Sequence, residues 1–278
     1  MVVGLGQTLL LGGIAGGTIV LGLPIGRMRN PAPTLRLLLN AIATGILIFL
    51  IWDVLSHAWE PVDAALGAYH DNHHNGLGSA FGYGALFAVG LIVGLGALVV
   101  YENWMQRAMK SELAKRTGLA SWSVGRHLAL MIAVGIGLHN FAEGLAIGQS
   151  AAKNEVALAV LLVVGFGLHN ATEGFGIVAP LASTDDETHV RPSWGFLLTM
   201  GLIGGGPTFL GTWIGHGFTS DAISVVFLTL AAGSILFVVI QLLNVASKAK
   251  RSDLLAVGLL IGILAGFVTD AIVTAGGA

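Results

Sequence analysis

Not one of the 278 residues is cysteine. That absence excludes every disulfide and every thiolate site, so a bound metal would have to take imidazole, carboxylate, amide oxygen or water. Charge is scarce as well. Asp, Glu, Lys and Arg make up 10% of the sequence, against about 25% in soluble domains, too few to cover a soluble fold. With 13 basic and 15 acidic residues the formal net charge is −2, and no excess of positive charge is available to hold nucleic acid. The first residues lack the basic stretch of a cleavable signal, so the first apolar run is expected to remain as a span.

What is present is apolar. Hydrophobic residues make up 55% of the chain and mean hydropathy is +0.83. The class this fits is an all-α, polytopic membrane protein, with the lipid bilayer as its surroundings. The 41 glycines would weaken helices in water, but in lipid small residues let helices approach closely. Pairs such as Gly12-Gly13 and Gly16-Gly17 read as a packing or sliding face.

Runs near the roughly 20 residues needed to cross a bilayer recur eight times, at 5–26, 35–59, 79–104, 126–150, 155–181, 193–217, 222–247 and 254–275. Short connections join them, so residues 1–278 are expected to form one bundle of eight transmembrane helices. The longest connection, 105–125, is basic and reads as a surface helix. The odd-numbered connections hold 12 of the 13 Lys and Arg; the even-numbered ones and the tails hold only Lys153. By the positive-inside rule the odd connections face the cytoplasm and both termini are extracytoplasmic. Trp52, Trp59, Trp104, Trp122, Trp194 and Trp213 mostly fall near span ends, where an aromatic belt belongs.

Inside the fourth run stands Gly137-Leu138-His139-Asn140-Phe141-Ala142-Glu143-Gly144, and thirty residues on, in the fifth, Gly167-Leu168-His169-Asn170-Ala171-Thr172-Glu173-Gly174. A His and a Glu four apart share one helix face. Ionisable groups at membrane depth are expensive and mark ion or substrate paths. Asn154 lies 15 residues from each His, so two straight helices put both imidazoles about 22 Å from their connection, near mid-membrane. Glu143 then lies one turn to the outer side and Glu173 one turn to the inner side, stacking carboxylate, imidazole pair and carboxylate. Asn140 and Asn170 add neutral oxygens, and Pro180 is expected to kink or end the fifth helix. Imidazole with carboxylate suits Zn2+ foremost, and also Fe2+, Mn2+, Co2+, Ni2+ and Cd2+. Two carboxylates offset a divalent charge in a low dielectric.

Other polar residues have two readings each. Asp53 and His57, four apart with Glu60 close behind, are an entrance station or a helix-end ion pair. Asp270 joins that vestibule or is a surface acid. Gln241 and Asn244 line an exit or bond helices together. His127 and His216 read as interfacial. His70, Asp71, His73 and His74 in the second connection collect metal or form a solvated turn. Asp185, Asp186, Glu187 and His189 receive a leaving cation or form an ordinary acidic loop. Gly204–Gly206 with Pro207 would let the sixth helix bend or unwind.

At its two motifs the chain resembles the ZIP (zinc- and iron-regulated transporter-like) family of metal importers. His139-Asn140-Phe141-Ala142-Glu143-Gly144 is similar to that family's fourth-helix signature and His169-Asn170-Ala171-Thr172-Glu173-Gly174 to its fifth. The resemblance implies eight spans, both termini outside, and a mid-membrane site with His139, Asn140, Glu143, His169, Asn170 and Glu173 as metal ligands. It also implies import, and a homodimer as a partner state. Departures concern a second metal. Gly206 precedes Pro207 where many relatives have Glu, Gln241 stands where an acid is common, and Asn170 stands where Glu is frequent. The long His-rich inner loop of many relatives is missing too, since 105–125 holds no His. These departures imply a mononuclear site.

The expectation is therefore a divalent-metal transporter in a prokaryotic plasma membrane, not an enzyme, with the metal as transported substrate and no cofactor. The alternative is an intramembrane metal-dependent hydrolase, which would need an open metal position and a general base. A metal-sensing receptor would need a signalling domain, and none is visible.

Overall fold

The structure is a computed structural model that describes residues 4–27, 33–72, 76–109, 122–152, 156–182, 191–217 and 220–275. Asn154, His73, His74, Asp185, Asp186, Glu187, His189 and most of the 105–125 connection lie outside the described residues. The described chain is helical: α1 (Leu5–Gly17), α2 (Pro33–Asn72), α3 (Leu77–Met109), α4 (Val124–Ala152), α5 (Val156–Val178), α6 (Trp194–Gly217), α7 (Asp221–Ser247) and α8 (Ser252–Ala275). Among the described residues, seven stretches are long and apolar enough to cross a membrane, which makes this a polytopic helical membrane protein. The eighth long helix, α5, has 23 residues and packs beside α4.

Four boundaries differ from the sequence pattern. The first run is not one α-helix, because α1 stops at Gly17 and continues as 3-10 turns Thr18–Leu21 and Leu23–Arg27. At the break the Ala15 carbonyl accepts from two side chains, Thr18 and Asn170. The second run does not end at Trp59. The helix α2 carries Pro61 in its interior and has 40 residues, about 60 Å against a hydrocarbon core of about 30 Å. Its last turns pair with the start of α3 across Gly76, whose φ of 111° and fit against the Ala65 carbonyl suit glycine alone. Along the chain α3 likewise runs past Trp104 to Met109, into the basic connection. By contrast α6 stays helical through Pro207 instead of unwinding. Pro180 sits in the 3-10 turn Ala179–Ala182 that follows the end of α5.

Glycine pairs four apart decide which helices touch. Gly144 and Gly148 of α4 lie against the Thr208 and Thr212 carbonyls of α6, and Gly211 and Gly215 of α6 lie against the Phe141 and Leu145 carbonyls of α4. Gly12 and Gly16 of α1 meet Thr212, Gly205 and Thr208. A second set seals Gly45 of α2 to Gly262 of α8, with Gly258 against Ala41 and Gly266 against Phe49. A third sets Gly90 and Gly94 of α3 against Thr229 and Leu230 of α7, and Gly233 against the Leu91 carbonyl. Close backbone approach maximises dispersion contact where no hydrophobic drive exists between helices in lipid. The result is two sealed groups, α1/α4/α6 with α5 and α2/α8 with α3/α7. Between them runs a seam rich in branched aliphatics: Ile132 and Ile136 face the group's neighbours Ile235, Val238 and Val239, all buried.

Candidate metal centre

The two repeated motifs meet inside the bundle. His139, Asn140 and Glu143 project from α4 and His169, Asn170 and Glu173 from α5, and all six are at most 9% exposed. Glu143 Oε1 lies 2.8 Å from His139 Nε2 and 2.5 Å from His169 Nε2. The two imidazole centroids are 6.0 Å apart with planes 35° from parallel. One ligand atom from each of His139, Glu143 and His169 lies within 4.8 Å of the other two. Two imidazole nitrogens and a carboxylate oxygen about one point make up three positions of a tetrahedral Zn2+ set.

Glu173 stands outside that trio, so the centre is less symmetric than the spacing suggests. Equal spacing sets equal depth, but the rotation of each helix about its axis decides which carboxylate the imidazoles share. Glu173 is buried within electrostatic reach of both imidazoles and of Glu143, and the Asn140 side chain reaches its carboxylate. Glu143 Oε2, Asn140 Oδ1 and Asn170 Oδ1 are buried without a partner. Buried polar atoms are nearly always satisfied, and an unpaired carboxylate in low dielectric is costly. Two buried carboxylates beside two imidazoles form an electron-rich centre that a divalent cation would satisfy.

Both asparagines donate to backbone carbonyls of neighbouring helices. Asn140 Nδ2 donates to the Gly204 carbonyl of α6 at 2.9 Å, and Asn170 Nδ2 donates to the Ala15 carbonyl of α1 at 3.1 Å. A carbonyl can only accept, so each amide is oriented with its NH2 toward the backbone and its oxygen free.

A cavity of about 600 Å3 leads from His139, Glu143 and His169 toward the ends of α2, α4 and α8 and the start of α7. Asp53, His57 and Glu60 of α2, Asp221 of α7 and Asp270 of α8 line it, and among the described residues no Lys or Arg does. His57 Nδ1 lies 2.9 Å from the Asp53 carbonyl and 3.6 Å from its carboxylate. Asp53 is within electrostatic reach of Asp270, His139 and His169. On the other side of the centre the bundle is filled by Ile19, Leu23, Ile132, Ile136, Ile177, Leu197, Met200, Ile235, Val238 and Leu242. Among the described residues the centre is thus reached from one end by this cavity and faces packed aliphatic side chains on the other.

The remaining polar candidates lie apart. Gln241 donates to Glu102 of α3 at 2.9 Å, joining α3 to α7. His127 Nδ1 lies 3.0 Å from the Ser123 carbonyl, and His216 Nδ1 3.4 Å from the Thr8 hydroxyl. Asp221 was not singled out by the sequence, since an acid at a span end has no spacing relation to the motifs. Nor does spacing flag Glu102, or the Ala15 and Gly204 carbonyls. Compared with known proteins, the chain matches no family model and no curated protein.

Proposed function

We propose that this protein is a ZIP-like importer of divalent transition metals, zinc foremost. The observation that carries the reading is the buried trio of His139, Glu143 and His169 at the floor of an acid-lined cavity. In this reading the trio, with Glu173, holds the ion, and the carboxylates offset its charge. All eight helices span, α5 included, since 23 residues reach about 35 Å. The charge bias puts the cavity mouth outside, with both termini on that side. Import and the homodimer come from the family resemblance alone. Alternating access requires one sealed group to move against the other, and the aliphatic seam between them is the surface suited to that motion.

The test is uptake into proteoliposomes with Zn2+, Fe2+, Mn2+, Co2+, Ni2+ and Cd2+ at two pH values. Wild type is expected to take up Zn2+, and the double variant His139→Ala/His169→Ala none. Equal rates for the two would reject the site. Protons compete with a metal for imidazole nitrogen, so uptake is expected to be lower at the more acidic of the two pH values. Turnover of a lipid or peptide without cation movement would instead favour the hydrolase.

The vestibule makes a separate expectation. A one-signed cleft raises local cation concentration and on-rate. Asp53→Asn with Asp270→Asn should raise the KM for Zn2+ about tenfold at low salt, with less effect at high salt and little change in maximal rate. A KM insensitive to both substitutions would show that these acids do not steer the ion.

A further inference from the structure

The break in α1 and the metal motif of α5 share one atom. The Ala15 carbonyl oxygen accepts from Asn170 Nδ2 at 3.1 Å and from the Thr18 hydroxyl at 2.7 Å. These two side-chain donors compete for the carbonyl that the next α-helical turn would use. Two residues later α1 gives way to 3-10 geometry. The altered segment is then seated on α5. Gly22 lies against the Ala171 carbonyl and Gly174, and Gly174 lies against the Ile19 carbonyl, so closely that neither glycine could carry a Cβ without backbone moving. The seat therefore covers residues 170–174, the turn that also bears Glu173. Asn140 repeats the device on the other side, donating to the Gly204 carbonyl of α6.

We propose that Asn170 is a positioning residue: its amide nitrogen pins the 3-10 break of α1 to the metal motif of α5, so that α1 travels with the site. The anchoring half of this proposal stands on the hydrogen bond alone; its consequence for transport rests on the importer reading. The resemblance assigns Asn170 as a ligand, and one substitution separates the roles. Asn170→Asp keeps an oxygen in place and adds negative charge, yet loses the donor and turns an anionic oxygen toward the Ala15 carbonyl. A ligand should survive that exchange, and a pin should not. Asn170→Ala removes both functions.

The experiment is hydrogen–deuterium exchange of the metal-free protein in nanodiscs, with Zn2+ binding by calorimetry and uptake kinetics on the same preparations. Losing a buried hydrogen bond is expected to raise exchange over residues 18–27 about tenfold in both variants. For Asn170→Asp the maximal uptake rate should fall about tenfold while the Kd for Zn2+ changes less than about threefold. Thr18→Val strips the second donor without touching the metal motif and should raise exchange in the same segment about threefold, with Zn2+ binding unaltered. It reads the same segment if the Asn170 variants do not fold. Unchanged exchange in every folded variant would overturn the proposal. So would loss of Zn2+ binding in Asn170→Ala that Asn170→Asp restores, with exchange normal in both. A wild type that binds no metal would sink the importer reading and leave the exchange result to decide the pin.

Discussion

Glu143→Gln is expected to remove most of the metal-dependent stabilisation of this protein. Wild type at a Zn2+ concentration a hundred times its Kd should gain about 2.7 kcal/mol against unfolding, seen as a rise in melting temperature. The variant should gain no more than about 0.4 kcal/mol, because its affinity falls at least about a hundredfold. Losing mere hydrogen-bond support for a ligand costs up to about that much, and in the proposed function Glu143 is itself a ligand. The argument is geometric: Glu143 Oε1 is the atom that His139 and His169 both face, at 2.8 and 2.5 Å. Glutamine fills the same volume, and its NH2 can donate to an imidazole nitrogen, so the metal-free protein should remain folded. What it cannot supply is the charge that offsets a divalent ion away from water. Melting curves with and without Zn2+ decide the matter. A Zn2+ shift of wild-type size in the variant would remove Glu143 from the centre.

Gly211→Ala is expected to cost about 3 kcal/mol, a large loss for one methyl group. A Cβ there would run into the Phe141 carbonyl and lie 3.0 Å from the Leu145 amide. Both are backbone atoms of a neighbouring helix, so no side chain can swing aside. Relief requires α4 and α6 to separate, and separation stretches the bond from Asn140 to Gly204 that orients part of the metal motif. Gly84→Ala is the control. Nothing lies within 4 Å of a Cβ at that position, and alanine there should stabilise the helix by up to about 1 kcal/mol. Unfolding of the purified variants in one detergent compares them directly. Equal melting temperatures would show that the glycine seam is not what holds α4 to α6.

These contrasts explain which parts of the molecule could be read from the chain. The paired His and Glu stood out because four-residue spacing and an apolar setting are local facts. The glycines were legible as a composition, and partly as spacing, since Gly144 and Gly148 or Gly211 and Gly215 recur every fourth residue. Their partners were not, because a sequence does not say which helix lies opposite. At the end of α1, one donor to the Ala15 carbonyl, Thr18, is local, but the other, Asn170, stands 155 residues away and could not be read from the chain. The length of α2 was hidden by Pro61 and Trp59, which look like a stop, whereas pairing with α3 carries the helix on to Asn72. At the centre, spacing gave depth and not azimuth. It set Glu143 and Glu173 symmetrically, while the fold joins Glu143 to the imidazoles and leaves Glu173 beside them. Asp53 and Asp270 are 217 positions apart, and only the bundle makes them neighbours in one wall.

The one-sided cavity also has an electrical consequence. Water filling the opening of about 600 Å3 would reach the depth of the imidazoles. High-dielectric water in that opening would concentrate the transmembrane voltage across the aliphatic half of the bundle between His139 and Leu242. An ion arriving from the mouth would cross little of that field. Any charge passing the aliphatic half would cross most of it, at about 2.3 kcal/mol per elementary charge for each 100 mV. Occupancy of the centre should then respond weakly to voltage, and the passage beyond it strongly.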